Sequence, residues 1–391
     1  MRLFLSGIFV LVVNCSLLAQ EKNSSQKWYE KIHIGGYIQV RYNGLFETNP
    51  NLNCEQCDEN WGEEGGGLSF RRVRFKIKGQ ISPRLFFYFQ PDFAKSIGEA
   101  HHVGRLKDAY IDVGLDKKNE FRLRIGQSKV PFGFENMQSS SNRLPLDRND
   151  ALNSAVKDER DLGIFFYWAT REKRELIKGL RKAGLSGGDF GLFALGFYNG
   201  QTANHFDEND VFHIVTRFSY PIELGNQVIE PGIQAYSGKY VVTEHSSNID
   251  VNTGGYTDQR AALSFILYPQ PFGIQAEYNF GRGPEFDKAT NTIQVSPLQG
   301  GYATFSYFIE KWHQQFYPFI RLQFYDGGKK HELDARSYTV KDTEIGIEWH
   351  PIPHFELLAE YTFSDRRYED FENPVNHQKG RLMRIQAQLK F

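Results

Sequence analysis

Four basic residues alternate with apolar residues in the stretch FRRVRFKIKGQ, and their spacing suits the binding of anions. They are Arg72, Arg74, Lys76 and Lys78. Side chains two apart on a β-strand share a face and lie about 6.6 Å apart, so the four would form a basic ladder of roughly 20 Å. The planar fork of arginine suits phosphate because it donates two parallel hydrogen bonds.

The element that must position such a ladder is clearest in the last eleven residues, 381–391. Every second residue from Met383 to Phe391 is apolar, and the residues between them are Arg384, Gln386, Gln388 and Lys390. Such a strand is either the edge of a soluble β-sandwich or a strand of an outer-membrane β-barrel with its apolar face toward lipid. A terminal Phe resembles the signal by which Gram-negative outer-membrane barrels are recognised for assembly.

The same period-two pattern recurs along the whole chain and predicts about sixteen strands. They span residues 31–43, 69–80, 85–94, 104–115, 120–127, 160–169, 187–199, 211–220, 228–241, 259–269, 272–281, 299–311, 314–326, 340–350, 354–365 and 381–391. Charged residues on nearly every polar face argue against a sandwich, whose interior would be dry. We therefore predict an all-β fold, a transmembrane antiparallel β-barrel.

The connections between the predicted strands support a barrel. Short turns alternate with long loops, which is the layout of bacterial outer-membrane barrels. The long loops are predicted at 44–67, 129–159, 242–258, 282–298 and 366–380. The basic segment 169–184 is an exception, and it predicts a short helix at the periplasmic rim.

Composition fits the same class of protein. The 33 Phe, 20 Tyr and 36 Gly are typical of many strands, tight turns and aromatic girdles. Because 46 basic residues balance 47 acidic ones, nothing in the charge argues for nucleic acid as a partner. Residues 1–19 predict a secretory signal peptide that would remove Cys15 and leave a barrel at 20–391.

The two remaining cysteines, Cys54 and Cys57, form a single CxxC in a predicted loop. In an oxidising envelope a local disulfide is favoured over a metal site. A zinc site would need a second pair of ligands nearby, and the histidines are scattered, so we predict no metal and no cofactor.

Several stretches resemble the phosphate-selective porin O and P family. The most specific is RIGQSKVPFGFEN, and FRRVRFKIKGQISPRLFFYFQPDFA and the terminal strand are also similar. The resemblance runs over essentially the whole mature chain. It implies sixteen strands, a homotrimer and a third extracellular loop folded into the pore, and 129–159, between predicted strands five and six, would be that constriction loop.

The resemblance also implies which residues would select the solute. The family's arginine ladder and constriction lysines would be similar to Arg72, Arg74, Arg122 and Arg124, with Lys129 opening the loop. In a narrow water-filled pore such a basic wall lowers the barrier for anions and raises it for cations.

Carboxylates share the polar faces and keep a second interpretation open. They are Asp92, Asp108 and Asp112 on early strands, and Glu277, Glu344, Glu348, Glu356 and Glu360 on late ones. The early carboxylates could pair with the basic residues and cancel much of their field. A basic arc facing an acidic arc suits a general diffusion pore as well as an anion-selective one.

We therefore expect an outer-membrane porin of a Gram-negative bacterium that gives small anions such as phosphate a passive route across the lipid. The alternatives are a general non-selective porin and a non-conducting binding or adhesion barrel. An enzyme is not expected, because the sequence offers no convincing Ser-His pair at a fixed spacing. The charges of 129–159 nearly balance, so this segment does not decide the selectivity.

Overall fold

Alternating apolar and polar residues form one closed antiparallel β-barrel. The structure, a computed structural model, describes residues 28–45, 66–97, 100–182 and 188–391. Its eighteen strand segments make sixteen barrel strands, because Ile222–Leu224 and Ile309–Lys311 each continue the strand before them. The predicted signal peptide and the Cys54–Cys57 disulfide lie outside the described residues.

Each of the sixteen strands overlaps a stretch where the period-two pattern predicts a strand, although several differ in length. They are β1 Ile32–Leu45, β2 Gly66–Ser82, β3 Leu85–Ile97, β4 Ala100–Gly114, β5 Phe121–Lys129, β6 Arg160–Trp168, β7 Phe193–Tyr198, β8 His213–Ser219 with Ile222–Leu224, β9 Gln227–Tyr240, β10 Tyr256–Leu267, β11 Phe272–Asp287, β12 Thr292–Tyr307 with Ile309–Lys311, β13 Gln314–Gly328, β14 Ser337–Ile352, β15 Phe355–Glu369 and β16 His377–Lys390. Each strand pairs with its sequence neighbours.

In the described residues, three short α-helices lie in the connections between strands. They are α1 Phe134–Met137, α2 Asp150–Asn153 and α3 Arg171–Lys182, and α3 lies in the basic segment for which a helix is predicted. Within the described parts of the chain, no helix has the length and apolar character needed to cross a membrane.

The barrel closes between its first and last strands. β1 pairs with β16 in a register that runs from Tyr37 opposite Lys390 to Leu45 opposite Leu382. β1 also pairs with β2, so the strand with the predicted ladder lies one strand away from the terminal strand. The pairing of β1 with β16 closes the barrel.

In this barrel polar side chains are buried and apolar side chains are exposed, which is the reverse of the pattern in a soluble protein. On β1, Gln39 and Arg41 are buried whereas Val40 and Tyr42 are exposed, and on β5 Arg122 and Arg124 are buried whereas Ile125 is exposed. Large exposed apolar side chains occur on the outer face of most strands. An apolar outer surface and a polar interior fit a barrel that has lipid outside and water inside.

Two predicted long loops are much shorter than expected. Instead of a loop at 282–298, β11 runs to Asp287 and β12 starts at Thr292. The strands extend because Phe286 and Ile293 are buried against Tyr240 and Tyr256, and a strand pattern limited to neighbouring residues does not show these contacts. The loop predicted at 366–380 is likewise reduced to residues 370–376.

Candidate functional site

Residues 130–159, which connect β5 to β6, contact strands far from both. Glu135 forms an ion pair with Arg321 of β13 at 2.8 Å, and Asp150 forms one with Arg366 of β15 at 3.1 Å. Asp147 lies 3.1 Å from Arg41 of β1. All three arginines belong to the buried faces of their strands. Ion pairs therefore attach this segment, called the inner segment below, to the wall that runs from β13 through β16 to β1.

Apolar contacts hold the inner segment to the opposite wall. Phe132 is fully buried, and its ring meets the ring of Tyr236 edge-on at 4.9 Å between centroids. Leu152 and Val156 belong to the same buried cluster. Burial of each such side chain stabilises by about 1.5–3 kcal/mol. The bend at 131–134 thus pins the segment to the wall.

Hydrogen bonds from the inner segment to strand side chains complete this attachment. The carboxylate of Glu277, on β11, accepts from the backbone N–H of Phe134 at 2.6 Å and of Glu135 at 2.9 Å. Glu277 therefore has a local structural role as well as its place on the predicted acidic arc. Buried backbone donors need such partners, since leaving one unpaired costs about 1–3 kcal/mol.

A polar cavity of about 540 Å³ lies between the inner segment and the strands. Thirteen basic side chains line it, an excess of four over the nine carboxylates. The basic residues are Arg71, Arg72, Arg74, Lys95, Arg105, Lys107, Arg143, Arg148, Lys157, Lys329, Arg336, Arg366 and Arg384. The carboxylates are Asp92, Asp147, Asp150, Asp158, Glu159, Glu244, Glu332, Asp342 and Glu344.

Two of the predicted ladder residues, Arg72 and Arg74, line this cavity, and their partners differ. Arg74 Nε lies 2.6 Å from Asp92 Oδ2, so its charge is largely neutralised. Arg72 donates to Gln39 Oε1 at 2.8 Å and forms no ion pair with any described residue. The structure therefore divides the ladder into a paired and an unpaired arginine.

The other two members of the ladder, Lys76 and Lys78, are not among the residues that line the cavity. The Lys76 ammonium lies 4.8 Å from the ring centroid of Tyr37, whose hydroxyl accepts from Arg74. Lys78 lies two residues further along the strand and is exposed. The ladder is therefore continuous along β2, but only half of it faces the cavity.

The predicted residues on β5 have structural partners. Arg124 is held by both oxygens of Asp112, at 2.7 and 2.9 Å, with its guanidinium 3.9 Å from the ring centroid of Tyr110. Arg122 binds Asp189 at 2.6 Å. The Lys129 ammonium donates to the carbonyls of the inner segment at Asn136 (2.9 Å), Met137 (3.2 Å) and Gln138. None of these three residues is among those that line the cavity.

Arg143, on the inner segment, also lines the cavity, although the nearly balanced charges of 129–159 gave it no predicted role. It donates to the backbone carbonyls of Pro145 and Leu146 and, within the described chain, it has no carboxylate partner. Burial, together with the positive charge of Arg148, lowers the pKa of Arg143 to about 9, so it stays protonated at pH 7. Arg143 is also near enough to Arg72 to act on it electrostatically. No local pattern identifies it, because the segment is aperiodic.

Another feature not predicted is the inward position of the connection between β13 and β14. Lys329 Nζ lies 2.6 Å from Asp150 Oδ1 of α2, and Lys330 forms an ion pair with Asp258 of β10. Both lysines are almost fully buried. This connection therefore borders the cavity together with the inner segment.

The late-strand carboxylates Glu348 and Glu356 meet His350 on the buried side of the barrel, with ligand atoms within 4.8 Å of one another. His350 Nε2 lies 2.6 Å from Glu348 Oε1, and Lys390 Nζ lies 2.8 Å from Glu356 Oε2. His350 is not among the residues to which the sequence pattern gives a role. The cluster is an ion-pair network in which Lys390 already supplies a cation.

Comparison with known proteins agrees with this architecture. The family model of phosphate-selective porin O and P matches residues 54–391. Comparison with curated protein sequences finds no match. The match therefore covers every strand of the barrel except β1.

Solved structures show the same fold. The outer membrane channel DcaP of Acinetobacter baumannii has a TM-score of 0.57 at 12% identity, with 92% of this chain and 97% of that chain covered. OmpF of Salmonella typhi, in complex with daunomycin, has a TM-score of 0.58 at 12% identity and the same coverage. An anion-selective porin from Comamonas acidovorans has a TM-score of 0.51 at 11% identity, with 92% and 99% covered.

At these identities the solved structures establish the fold, and the family match establishes the relationship. A closed sixteen-strand barrel with an apolar exterior, a charged interior and a family match from residue 54 to the terminal Phe391 leads to one conclusion. The chain belongs to the phosphate-selective porin O and P family and is a porin of the Gram-negative outer membrane.

Proposed function

We propose that this porin gives passive passage to small solutes with a preference for anions such as phosphate. The observation that carries the proposal is the cavity lining, where basic side chains exceed carboxylates by four. Within a narrow wet passage of low-dielectric walls, such an excess attracts anions and repels cations.

Arg72 and Arg143 are the residues that we expect to contribute most to this preference. Neither forms an ion pair with a described residue, so their positive charges are not cancelled locally. Arg72 Nε and Arg143 Nη1 are also buried without a hydrogen-bond partner in the described chain. Buried donors of this kind are normally satisfied by water or by a ligand, and a phosphate oxygen is a strong acceptor for both.

We also propose that the inner segment is the constriction loop of the pore. Its ion pairs to β13, β15 and β1 and its apolar contacts to β9 attach it to opposite sides of the barrel. A segment attached in this way reduces the open cross-section and brings Arg143 toward the basic wall of β2. The passage then runs along β2–β4 and β13–β16, where the cavity lies.

A general diffusion porin is the second candidate, and specific ion pairs favour it. Asp92 neutralises Arg74, Asp112 neutralises Arg124, and Asp108 lies 3.0 Å from Arg160. If the remaining excess of positive charge is screened by salt, the pore would pass cations and anions alike.

The zero-current potential of single channels between two KCl concentrations separates these candidates. We expect a chloride-to-potassium permeability ratio above one, which falls as salt rises. A ratio of one or less contradicts the anion preference and leaves the general porin. Phosphate added at constant ionic strength should reduce the chloride current, and no reduction contradicts a phosphate preference alone. Folded protein without conductance would instead indicate a binding barrel.

We further propose a homotrimer, which the family relationship supports. Its measurement is the mass of the detergent-solubilised protein, by light scattering corrected for bound detergent. A mass of one chain would contradict it without affecting the proposed selectivity.

A further inference from the structure

Helix α3 lies inside the mouth of the barrel at the end where the short turns lie. Its apolar residues Leu176, Ile177 and Leu180 share one face, and Ile177 and Leu180 are almost fully buried. Leu180 belongs to a cluster with Val228 of β9 and Ile266 of β10. Val228 and Ile266 are on the buried faces of their strands, so the helix is against the inner wall and not outside the barrel.

The same cluster joins the helix to the inner segment. It includes Phe134, the first residue of α1, and Tyr268, whose rings meet edge-on at 6.2 Å between centroids. Glu277 fixes the backbone of Phe134 from the β11 wall. Helix α3 therefore lies directly next to the inner segment, on its turn-end side.

Polar contacts fix the position of the helix in the mouth. Arg174 Nη1 donates to the carbonyl of Asn119 at 2.7 Å, in the turn between β4 and β5. Arg174 Nε also lies 3.0 Å from Asp189, and the same carboxylate binds Arg122 of β5 at 2.6 Å. Arg122, predicted as a pore residue, thus connects the wall to α3 through Asp189. The helix is held on two sides, by β5 and by β9–β10.

We propose that α3 is a second constriction, in series with the inner segment, that limits the size of solute passing the turn end of the barrel. A helix of twelve residues is about 18 Å long and about 10 Å wide, so within the barrel mouth it displaces a large part of the water. The proposal needs only the porin activity, and it holds whether or not the pore prefers anions.

Replacement of Arg171–Lys182 by a short Gly-Ser linker tests the proposal. Because two constrictions in series share the resistance of the pore, we expect single-channel conductance to rise by roughly half. Swelling of proteoliposomes should also extend to larger neutral sugars. The control is Glu175→Ala with Lys178→Ala, which removes an exposed ion pair and leaves the buried face intact. Folding is checked by the heat-dependent shift in electrophoretic mobility.

A second measurement leaves the fold undisturbed. Lys178 is exposed, so Lys178→Cys can be labelled with a bulky maleimide after reconstitution. We expect labelling to lower the conductance by at least half, whereas the same reagent leaves the unsubstituted protein unchanged. Unchanged conductance on complete labelling would overturn the proposal, as would a folded linker variant with the original conductance and sugar limit. Neither result bears on the ion selectivity.

Discussion

The backbone of Gly36 exchanges two hydrogen bonds with the terminal residue Phe391. Gly36 N–H donates to the carbonyl of Phe391 at 2.8 Å, and Phe391 N–H donates to the carbonyl of Gly36 at 3.1 Å. The Phe391 ring meets Phe75 of β2 edge-on at 5.8 Å between centroids. The terminal residue thus ends the closing strand and also covers β2 from the lipid side.

This closure explains the glycine and gives the first prediction. A Cβ on Gly36 would lie 2.3 Å from the carbonyl oxygen of Arg74 and 2.7 Å from the Phe391 ring. Because the first neighbour is backbone, Gly36→Ala must shift β1 away from β2. We expect a smaller heat-shifted folded fraction after refolding into detergent.

The matched control for Gly36→Ala is Gly179→Ala in α3. A Cβ there meets nothing within 4 Å, and alanine favours a helix over glycine by about 1 kcal/mol. Gly179→Ala should therefore fold at least as well as the original chain. Equal folded fractions for the two variants would show that β1 and β2 have room to separate.

The second prediction concerns the two unpaired arginines. Arg72→Ser and Arg143→Ser should each lower the chloride-to-potassium permeability ratio, and together they should lower it further, because both remove an uncancelled charge from the cavity. The control is Arg282→Ser, which removes an exposed arginine bonded to Gln259. If all three variants changed the ratio equally, the effect would come from net charge and not from the cavity.

A third prediction uses the ion pair that joins β2 to β3. Arg74 and Asp92 are directly opposite in the strand register and lie 2.6 Å apart. Arg74→Gln leaves the carboxylate of Asp92 uncompensated, so the permeability ratio should fall by about as much as in Arg72→Ser, because each variant removes one positive charge from the cavity. Adding Asp92→Asn should restore most of the lost permeability ratio, since the double variant removes both charges of the ion pair. Reversal potentials of the four proteins measure this, and a double variant no better than Arg74→Gln would contradict it.

The difference between Arg72 and Arg74 shows what the sequence could predict. Lipid outside and water inside impose a strict two-residue alternation, so the strand positions and the faces of Arg72, Arg74, Arg122 and Arg124 follow from the sequence. Their partners depend on the register between strands, which places Asp92 opposite Arg74 and not opposite Arg72. That register also depends on bulges and turns, and the local pattern does not contain it.

The inner segment shows the other limit of prediction. Its position between the fifth and sixth strands is predictable from the sequence. The direction of the Arg143 side chain and the partners of the Lys129 ammonium are not predictable from the sequence. Both depend on the folded path of an aperiodic segment. Lys129 was a candidate pore residue by resemblance, and the structure places its ammonium against three backbone carbonyls.

The fourth prediction follows from that position of Lys129. Lys129→Met removes a donor from the carbonyls of Asn136, Met137 and Gln138. The Gln138 carbonyl still accepts from Arg148, whereas a buried carbonyl left unpaired costs about 1–3 kcal/mol. We expect a lower unfolding temperature and more open-channel noise, with little change in the permeability ratio. Lys129→Arg keeps the positive charge and the hydrogen-bond donors, so its unfolding temperature and channel noise should be closer to those of the original protein. A large loss of anion preference with unchanged noise would instead make Lys129 part of the permeation path.

The last prediction concerns acid and Glu159, at the end of the inner segment. Burial acts to raise the pKa of Glu159, but the nearby guanidiniums of Arg148 and Arg160 outweigh it and lower the pKa from 4.5 to about 2. Arg148 and Arg160 lie 2.7 and 2.8 Å from this carboxylate. Since the folded pKa is below the ordinary value, the ion pairs stabilise fully above about pH 4.5 and are lost as pH falls toward 2.

Glu159→Gln tests this assignment, because it removes the titrating group and keeps the size of the side chain. The unfolding temperature of the original protein should fall between pH 4.5 and pH 2. The variant should be less stable at neutral pH, and its unfolding temperature should fall less over the same window. Single-channel recordings over the same pH range should show noise from the inner segment appearing in the original protein at low pH, and in the variant already at pH 7. Parallel stability curves for the two proteins would mean that other carboxylates carry the acid sensitivity and that Glu159 does not hold the segment.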